Sequence, residues 1–281
     1  MRPYGTLAIW LLLMCTAKAN AISLTFEPQI CIQLKQLKFR QEFEGGSSAL
    51  RDDSGSLTAN IPTIPLSLSM RVQGKYFFQL RYETDVSSPN VNSSVPLTLN
   101  KTDVSRSDWS FNFIYSLPKQ FKVLTGYTAG KTVLSPEAND CYRTNQTGCE
   151  QNLAYILSQR GIQYAQKYSE EGWYLGAAYS RIFFKTNFYF LASYAKFNST
   201  YTDNNTGSSD FKFKGPADGF NSMISASRKV GQSMFAHARI RYQKLSSEGD
   251  AVDGIWSGSK HTSIEQITAF ELGLTYRFVK L

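Results

Sequence analysis

Along much of this chain apolar and polar residues alternate one for one, the period of a strand with one dry face and one wet face. The last such segment is the most regular. Phe270, Leu272, Leu274, Tyr276 and Phe278 share one face, while Ala269, Glu271, Gly273, Thr275 and Arg277 share the other. Tyr76, Phe78, Leu80 and Tyr82 alternate in the same way with Phe77, Gln79, Arg81 and Glu83. So do Leu66, Leu68, Met70 and Val72 with Ser67, Ser69 and Arg71, and Trp109, Phe111, Phe113 and Tyr115 with Ser110, Asn112, Ile114 and Ser116. A fifth segment sets Ala236, Ala238, Ile240 and Tyr242 against His237, Arg239, Arg241 and Gln243. Weaker alternation covers 30–43, 121–130, 173–183, 188–197 and 220–230, which brings the expected strands to about ten. Within 30–43 the apolar parity shifts between Leu34 and Leu37, which predicts a bulge. Near Phe188 both parities are apolar, and the faces there cannot be assigned from the pattern.

The connections fall into two kinds. Gln73-Gly74, Leu117-Pro118-Lys119, Phe184-Lys185-Thr186 and Val230-Gly231-Gln232 read as tight hairpin turns. Long polar stretches at 44–56, 87–107, 131–172, 199–218 and 246–264 read as loops. Short and long alternate strictly, so the strand number is even and both termini lie on the short-turn side. In the third loop Leu153, Leu157, Gly161, Tyr164 and Tyr168 recur at roughly helical spacing, which predicts a short helix over 150–168, folded at the mouth.

Residues 1–21 have the plan of an export signal: Arg2, then an apolar run from Leu7 to Cys15, then Ala17-Lys18-Ala19 and Ala19-Asn20-Ala21 as small-x-small cleavage sites. Met14 before Cys15 is too bulky for a lipid-attachment motif. The remainder, 22–281, reads as one all-β domain. Mean hydropathy is only −0.29, yet 14% of residues are aromatic, with 16 Tyr and 19 Phe. One apolar face on an otherwise polar strand gives that combination, and it is the sequence signature of a membrane barrel. Leader, alternating strands, turn asymmetry and the aromatic last strand Leu272–Phe278 together resemble the Gram-negative outer-membrane β-barrels. The resemblance implies a closed antiparallel up-and-down transmembrane barrel in the bacterial outer membrane. Its partners would then be outer-membrane lipids and, during biogenesis, the barrel assembly machinery. Such barrels end on Phe, whereas Val279-Lys280-Leu281 follow Phe278 here.

Chemistry-bearing residues are few. Cys141 and Cys149 flank a turn-rich spacer in an exported loop, which predicts a local disulfide and leaves Cys31 unpaired. No further Cys or His stands near them, so neither a metal site nor a cofactor is expected. Some barrels of this class are proteases with paired aspartates and an Asp-x-His motif at the loop rim. No Asp-x-His, His-x-Asp or Gly-x-Ser-x-Gly occurs here. Of the two histidines, His237 shares a face with two arginines and His261 lies in a polar stretch, so the expectation is a barrel that is not an enzyme. The net charge of +8 comes from scattered Lys and Arg with no run of five, which argues against nucleic acid. Five Asn-x-Ser/Thr sequons, at Asn92, Asn100, Asn145, Asn198 and Asn204, fall in or beside the long loops.

The charged residues on the wet faces set the functional expectation. Arg71, Arg81, Arg239, Arg241 and Arg277 would point into the lumen together with His237, against Glu83 and Glu271. Uncompensated arginines lower the barrier to anions, so a narrow anion-preferring pore for small solutes is expected. A surface protein whose loops bind host molecules, or an envelope barrel without transport, are the alternatives. Paired, the same charges would only fill the interior.

Overall fold

The computed structural model describes residues 23–44, 53–93, 101–136, 165–203, 211–252 and 258–280. They form β1 (Leu24–Glu44), β2 (Asp53–Val72), β3 (Tyr76–Asp85), β4 (Asn90–Asn92), β5 (Lys101–Ser116), β6 (Phe121–Pro136), β7 (Gln166–Phe183), β8 (Thr186–Asp203), β9 (Phe211–Lys229), β10 (Met234–Ala251), β11 (Lys260–Tyr276) and β12 (Phe278–Lys280). The short strands β4 and β12 only extend the ladder, at β5 and β1. The other ten pair antiparallel in chain order, and β11 closes on β1 from Gln29↔Thr275 to Glu44↔Lys260. The result is a closed ten-stranded barrel, as the alternation predicts. Tight turns after β2, β5, β7 and β9 all lie at one rim. Ser23 there accepts a hydrogen bond from the Gln73 backbone, and Ser233 accepts one from Arg277. Those turns reverse in two left-handed residues each at Gln73-Gly74, Lys119-Gln120 and Phe184-Lys185, the hand that matches the twist of the flanking strands.

Outward faces carry a continuous apolar band. Ile30, Ile32 and Leu34 on β1, Leu66 and Leu68 on β2, Leu80 on β3 and Phe270, Leu272 and Leu274 on β11 are all exposed. Aromatic rings edge it. Near the loop side Tyr127 lies 5.4 Å from both Trp109 and Trp173, and near the turns Tyr76 meets Tyr115 at 5.4 Å and Phe121 meets Tyr179 at 5.1 Å. An apolar belt between two aromatic girdles is the surface a bilayer requires.

The strands, however, are longer than the membrane. β1 has 21 residues, whereas about 9–11 cross the hydrocarbon. Above the band the two faces exchange character. Outward positions become polar: Gln36, Lys38, Arg40 and Glu42 on β1, Glu171 on β7, Lys196 on β8 and Lys244 on β10. Inward positions become apolar. Leu37, Phe39, Phe43, Leu57, Ile61, Leu134, Tyr201 and Phe213 pack together as a core inside the barrel. The predicted bulge in β1 is therefore absent; the pairing with β11 is unbroken, and the parity shift marks the exit from lipid into water. For the same reason strand pairing runs into all five stretches read as loops, for example Asp53–Ser56, Lys131–Pro136 and Ser246–Ala251. The expected helix over 150–168 is strand from Gln166 to Tyr168, and 150–164 lie outside the described residues. So do the leader and Cys141 and Cys149. β8, whose faces the pattern leaves open, points Tyr189 and Leu191 inward and Phe190 and Tyr194 outward.

Two expectations follow. Arg in place of Leu274 should cost about 2–4 kcal/mol of refolding stability in lipid, because the charge enters hydrocarbon. Arg in place of the lumen-facing neighbour Thr275 should be tolerated; equal costs would refute the face assignment. The second concerns His261, which lies at the top of the barrel, well above the band. It is 3% exposed and ringed by Phe43, Tyr168, Tyr201 and Phe213, with centroids 4.7–5.6 Å away. Burial holds its pKa down at about 3. The unfolded chain then binds a proton that the folded one refuses, so stability is full above about pH 6.5 and falls by about 1.4 kcal/mol per unit below it. Urea unfolding at pH 6.5 and 4.5 should show that loss in the native barrel and a smaller one in His261→Phe.

Candidate functional site

The inward face of the lipid-crossing half is polar and carries two features, one above the other. The lower is a chamber of about 350 Å³ that reaches the short-turn rim. Arg71, Arg81, Lys122, Arg239, Arg241 and Arg277 line it, with Glu27 as its one acidic residue. Glu27 accepts from Arg277 Nε at 2.7 Å and sits 3.8 Å from Arg71. Buried polar atoms of lining residues lack a partner among the described residues: Arg81 Nη1, Arg239 Nε, Arg241 Nε, Tyr189 Oη and Asn221 Oδ1. Such atoms are costly to leave dry, so the chamber is built for water or for a polar solute.

Above it, ion pairs cross the lumen. Glu83 on β3 accepts from Lys35 on β1 at 2.9 Å, Arg81 at 2.7 Å and Arg241 on β10 at 2.9 Å. Glu271 on β11 binds Arg81 on β3, three strands away round the barrel, and lies 3.3 Å from Arg239. Lys35 continues to Asp108 at 2.5 Å. Arg106 on β5 gathers Asp108 at 2.8 Å, Glu265 on β11 at 2.5 Å and Glu170 on β7, and donates to Thr132 at 2.7 Å. Five bases and five acids from six strands thus neutralise one another. With the apolar core directly above, no wide passage runs through the described barrel.

The residues singled out in the sequence divide between these features. Arg71 and Arg277 sit at the chamber mouth. Arg81, Arg239 and Arg241 join the chamber to the ion-pair layer, and Glu83 and Glu271 lie in the layer itself. His237 lies against Gln29, Cys31 and Glu271. Sequence reasoning missed Lys35, although it shares parity with Gln33 and Cys31. It also missed Asp108, and it missed Arg106, Glu170 and Glu265 because their segments read as loops or loop edges. Cys31 is unpaired and buried. Its Sγ and Glu271 Oε1 approach the same imidazole nitrogen, Nε2, whereas a nucleophile–histidine–acid relay needs them on opposite nitrogens.

No family model and no curated protein matches the chain. Solved structures do. The outer-membrane protease OmpT from Escherichia coli superposes with a TM-score of 0.64 over 90% of this chain and 97% of its own, at 12% identity. The fold is that of the Gram-negative outer-membrane β-barrels. Neisserial surface protein A, at TM-score 0.34 and 12% identity, covers 90% of this chain and 97% of that one. The translocator domain of the autotransporter NalP from Neisseria meningitidis, at 0.39 and 8%, covers 97% and 95%. With its apolar band, the barrel belongs in the outer membrane. The OmpT likeness overturns one expectation, that the barrel is not an enzyme: the fold is one that carries catalysis. A barrel assembles side chains from strands far apart in sequence, so the lack of an Asp-x-His excludes only one arrangement.

The ion-pair layer makes its own prediction. Arg106→Ala strands three buried carboxylates and should cost about 3–5 kcal/mol. Arg277→Ala at the wetter rim should cost less than about 1 kcal/mol. Urea unfolding in lipid vesicles checks both, and equal losses would contradict the layer's role.

Proposed function

We propose that the protein takes small anionic solutes into the chamber from the periplasmic side, with the ion-pair layer holding the conduit shut at rest. The observation that carries this reading is the basic lining of the chamber: Arg71, Lys122 and Arg277 stand against Glu27 alone, while Arg81, Arg239 and Arg241 are balanced by Glu83 and Glu271 in the layer above. Guanidinium N–H groups are donors that a carboxylate or phosphate accepts well. An open, non-specific pore is the weaker version, because the charges that would set selectivity also bridge the lumen. Insertion by the barrel assembly machinery, reading the last strand at Phe278 or at Leu281, belongs to the same proposal.

A second reading has an observation of its own. The strands rise above the lipid on a packed apolar core, so the long connections stand on a stiff platform suited to contact with host surface molecules. Loop deletions that abolish cell binding and leave refolding intact would favour it.

Planar-bilayer recording tests the conduit. The native barrel should pass almost no current at low voltage. Once opened by voltage, its reversal potential should favour chloride over potassium. Arg71→Glu with Lys122→Glu, both outside the ion-pair layer, should move it towards potassium. A steady cation-preferring current in the native barrel, or none at any voltage, would reject the proposal.

A further inference from the structure

Where β1, β11 and β10 run side by side, Cys31, Gly273 and His237 stand opposite one another in register. Glu271 is the next inward residue along β11. Cys31 Sγ lies 3.4 Å from His237 Nε2, Glu271 Oε1 lies 3.3 Å from the same nitrogen, and the Gln29 side-chain amide nitrogen also touches it. The donor atoms of Cys31, His237 and Glu271 all fall within 4.8 Å of one another, and all three residues are buried.

With the Gln29 amide nitrogen turned to the imidazole, as it stands here, hydrogen bonding serves this arrangement only in part. An imidazole nitrogen carries either one proton or one lone pair, so it satisfies one partner. Here the carboxylate needs an N–H while the amide nitrogen needs a lone pair. A cation between the donors serves all of them at once. Metal–sulfur and metal–nitrogen bonds of about 2.3 and 2.0 Å place tetrahedral S and N ligands about 3.5 Å apart, close to the spacing observed. Gly273 keeps that space open, since a Cβ there would lie 2.6 Å from Cys31 Sγ and 2.7 Å from His237 Nε2. Gln29 can add a fourth donor by turning its amide, because Ser67 Oγ, now donating to Oε1 at 2.9 Å, can equally accept from the amide nitrogen.

We propose that Cys31, His237 and Glu271 bind a single soft metal ion, monovalent copper, which enters through the chamber that Gln29 and His237 line. Thiolate and imidazole are the strong ligands for such an ion, and Glu271 is the weaker third. Charge selects the ion. Glu271 already lies against Arg81 and Arg239. When Cu(I) displaces the thiol proton, the Cu–S bond forms, the S–H bond breaks and the proton leaves, so the local charge is unchanged. Zn(II) would add one positive charge beside two guanidiniums. The site stands independently of the anion reading.

The test is anaerobic competition for Cu(I) between the refolded full-length barrel and a chromogenic Cu(I) chelator. The native protein should withhold one equivalent. Cys31→Ser, nearly isosteric but a poor ligand for Cu(I), should withhold none, and His237→Gln should hold it at least tenfold more weakly. Cys141→Ser with Cys149→Ser should bind like the native protein. Heat-modified electrophoretic mobility would confirm that each variant is folded. Retention by folded Cys31→Ser, or no retention by the native barrel, would overturn the site. Retention of Zn(II) in preference to Cu(I) would overturn the choice of ion.

Discussion

A closed ten-stranded cylinder has an interior that must be filled. Eight strands enclose only packed side chains, and sixteen or more leave a water channel; ten lie close to the filled limit. Here the filling is electrostatic at mid-height. Lys35, Arg81, Arg106, Arg239 and Arg241 reach across to Glu83, Asp108, Glu170, Glu265 and Glu271. Arg81–Glu83 and Arg106–Asp108 pair within one strand, but each of these four groups also has a partner on another strand. Closure of β11 on β1 supplies those partners, and the partners in turn fix the walls at one separation. The chamber below and the apolar core above are what remains of the lumen once that layer is in place.

The exchange of faces along each strand follows from solvent. In lipid the outward side chain must be apolar, and the inward one is free to be polar. Beyond the lipid the outward side chain meets water, and the cylinder is stable only if its inside becomes a core. β1 obeys both rules in a single unbroken strand: Ile30, Ile32 and Leu34 face out, then Leu37, Phe39 and Phe43 face in. This upper core also accepts His261, neutral among four rings and beside the buried Gln41. The cost appears only where acid would charge it.

The sequence made one part of this legible and hid another. Phe270 to Phe278 announces strand, lipid face and wet face together, because both environments are constant along that half of β11. The tight turns and the even strand number could be read for the same reason. Where the environment changes along a strand, a single-period rule fails: the parity shift after Leu34 reads as a bulge, and 131–136 and 246–251 read as loop. Pairing across a lumen leaves no periodic trace. Nothing local connects Arg106 with Glu265, or Cys31 with His237 at 206 residues' separation. The wet-face arginines and two of their acids, Glu83 and Glu271, could be read individually, whereas the pairing itself, and the parts played by Lys35, Arg106, Asp108, Glu170 and Glu265, could be seen only in three dimensions.

Among the described residues the lumen is divided: the chamber opens at the short-turn rim, and the ion-pair layer and apolar core lie between it and the loop side. A cysteine at Ser225, which lines the chamber, tests it most directly in a barrel whose Cys141 and Cys149 are replaced. In proteoliposomes of known orientation, a membrane-impermeant maleimide should label that cysteine only from the short-turn side. Labelling at equal rates from both sides would show a lumen open from end to end and contradict the account.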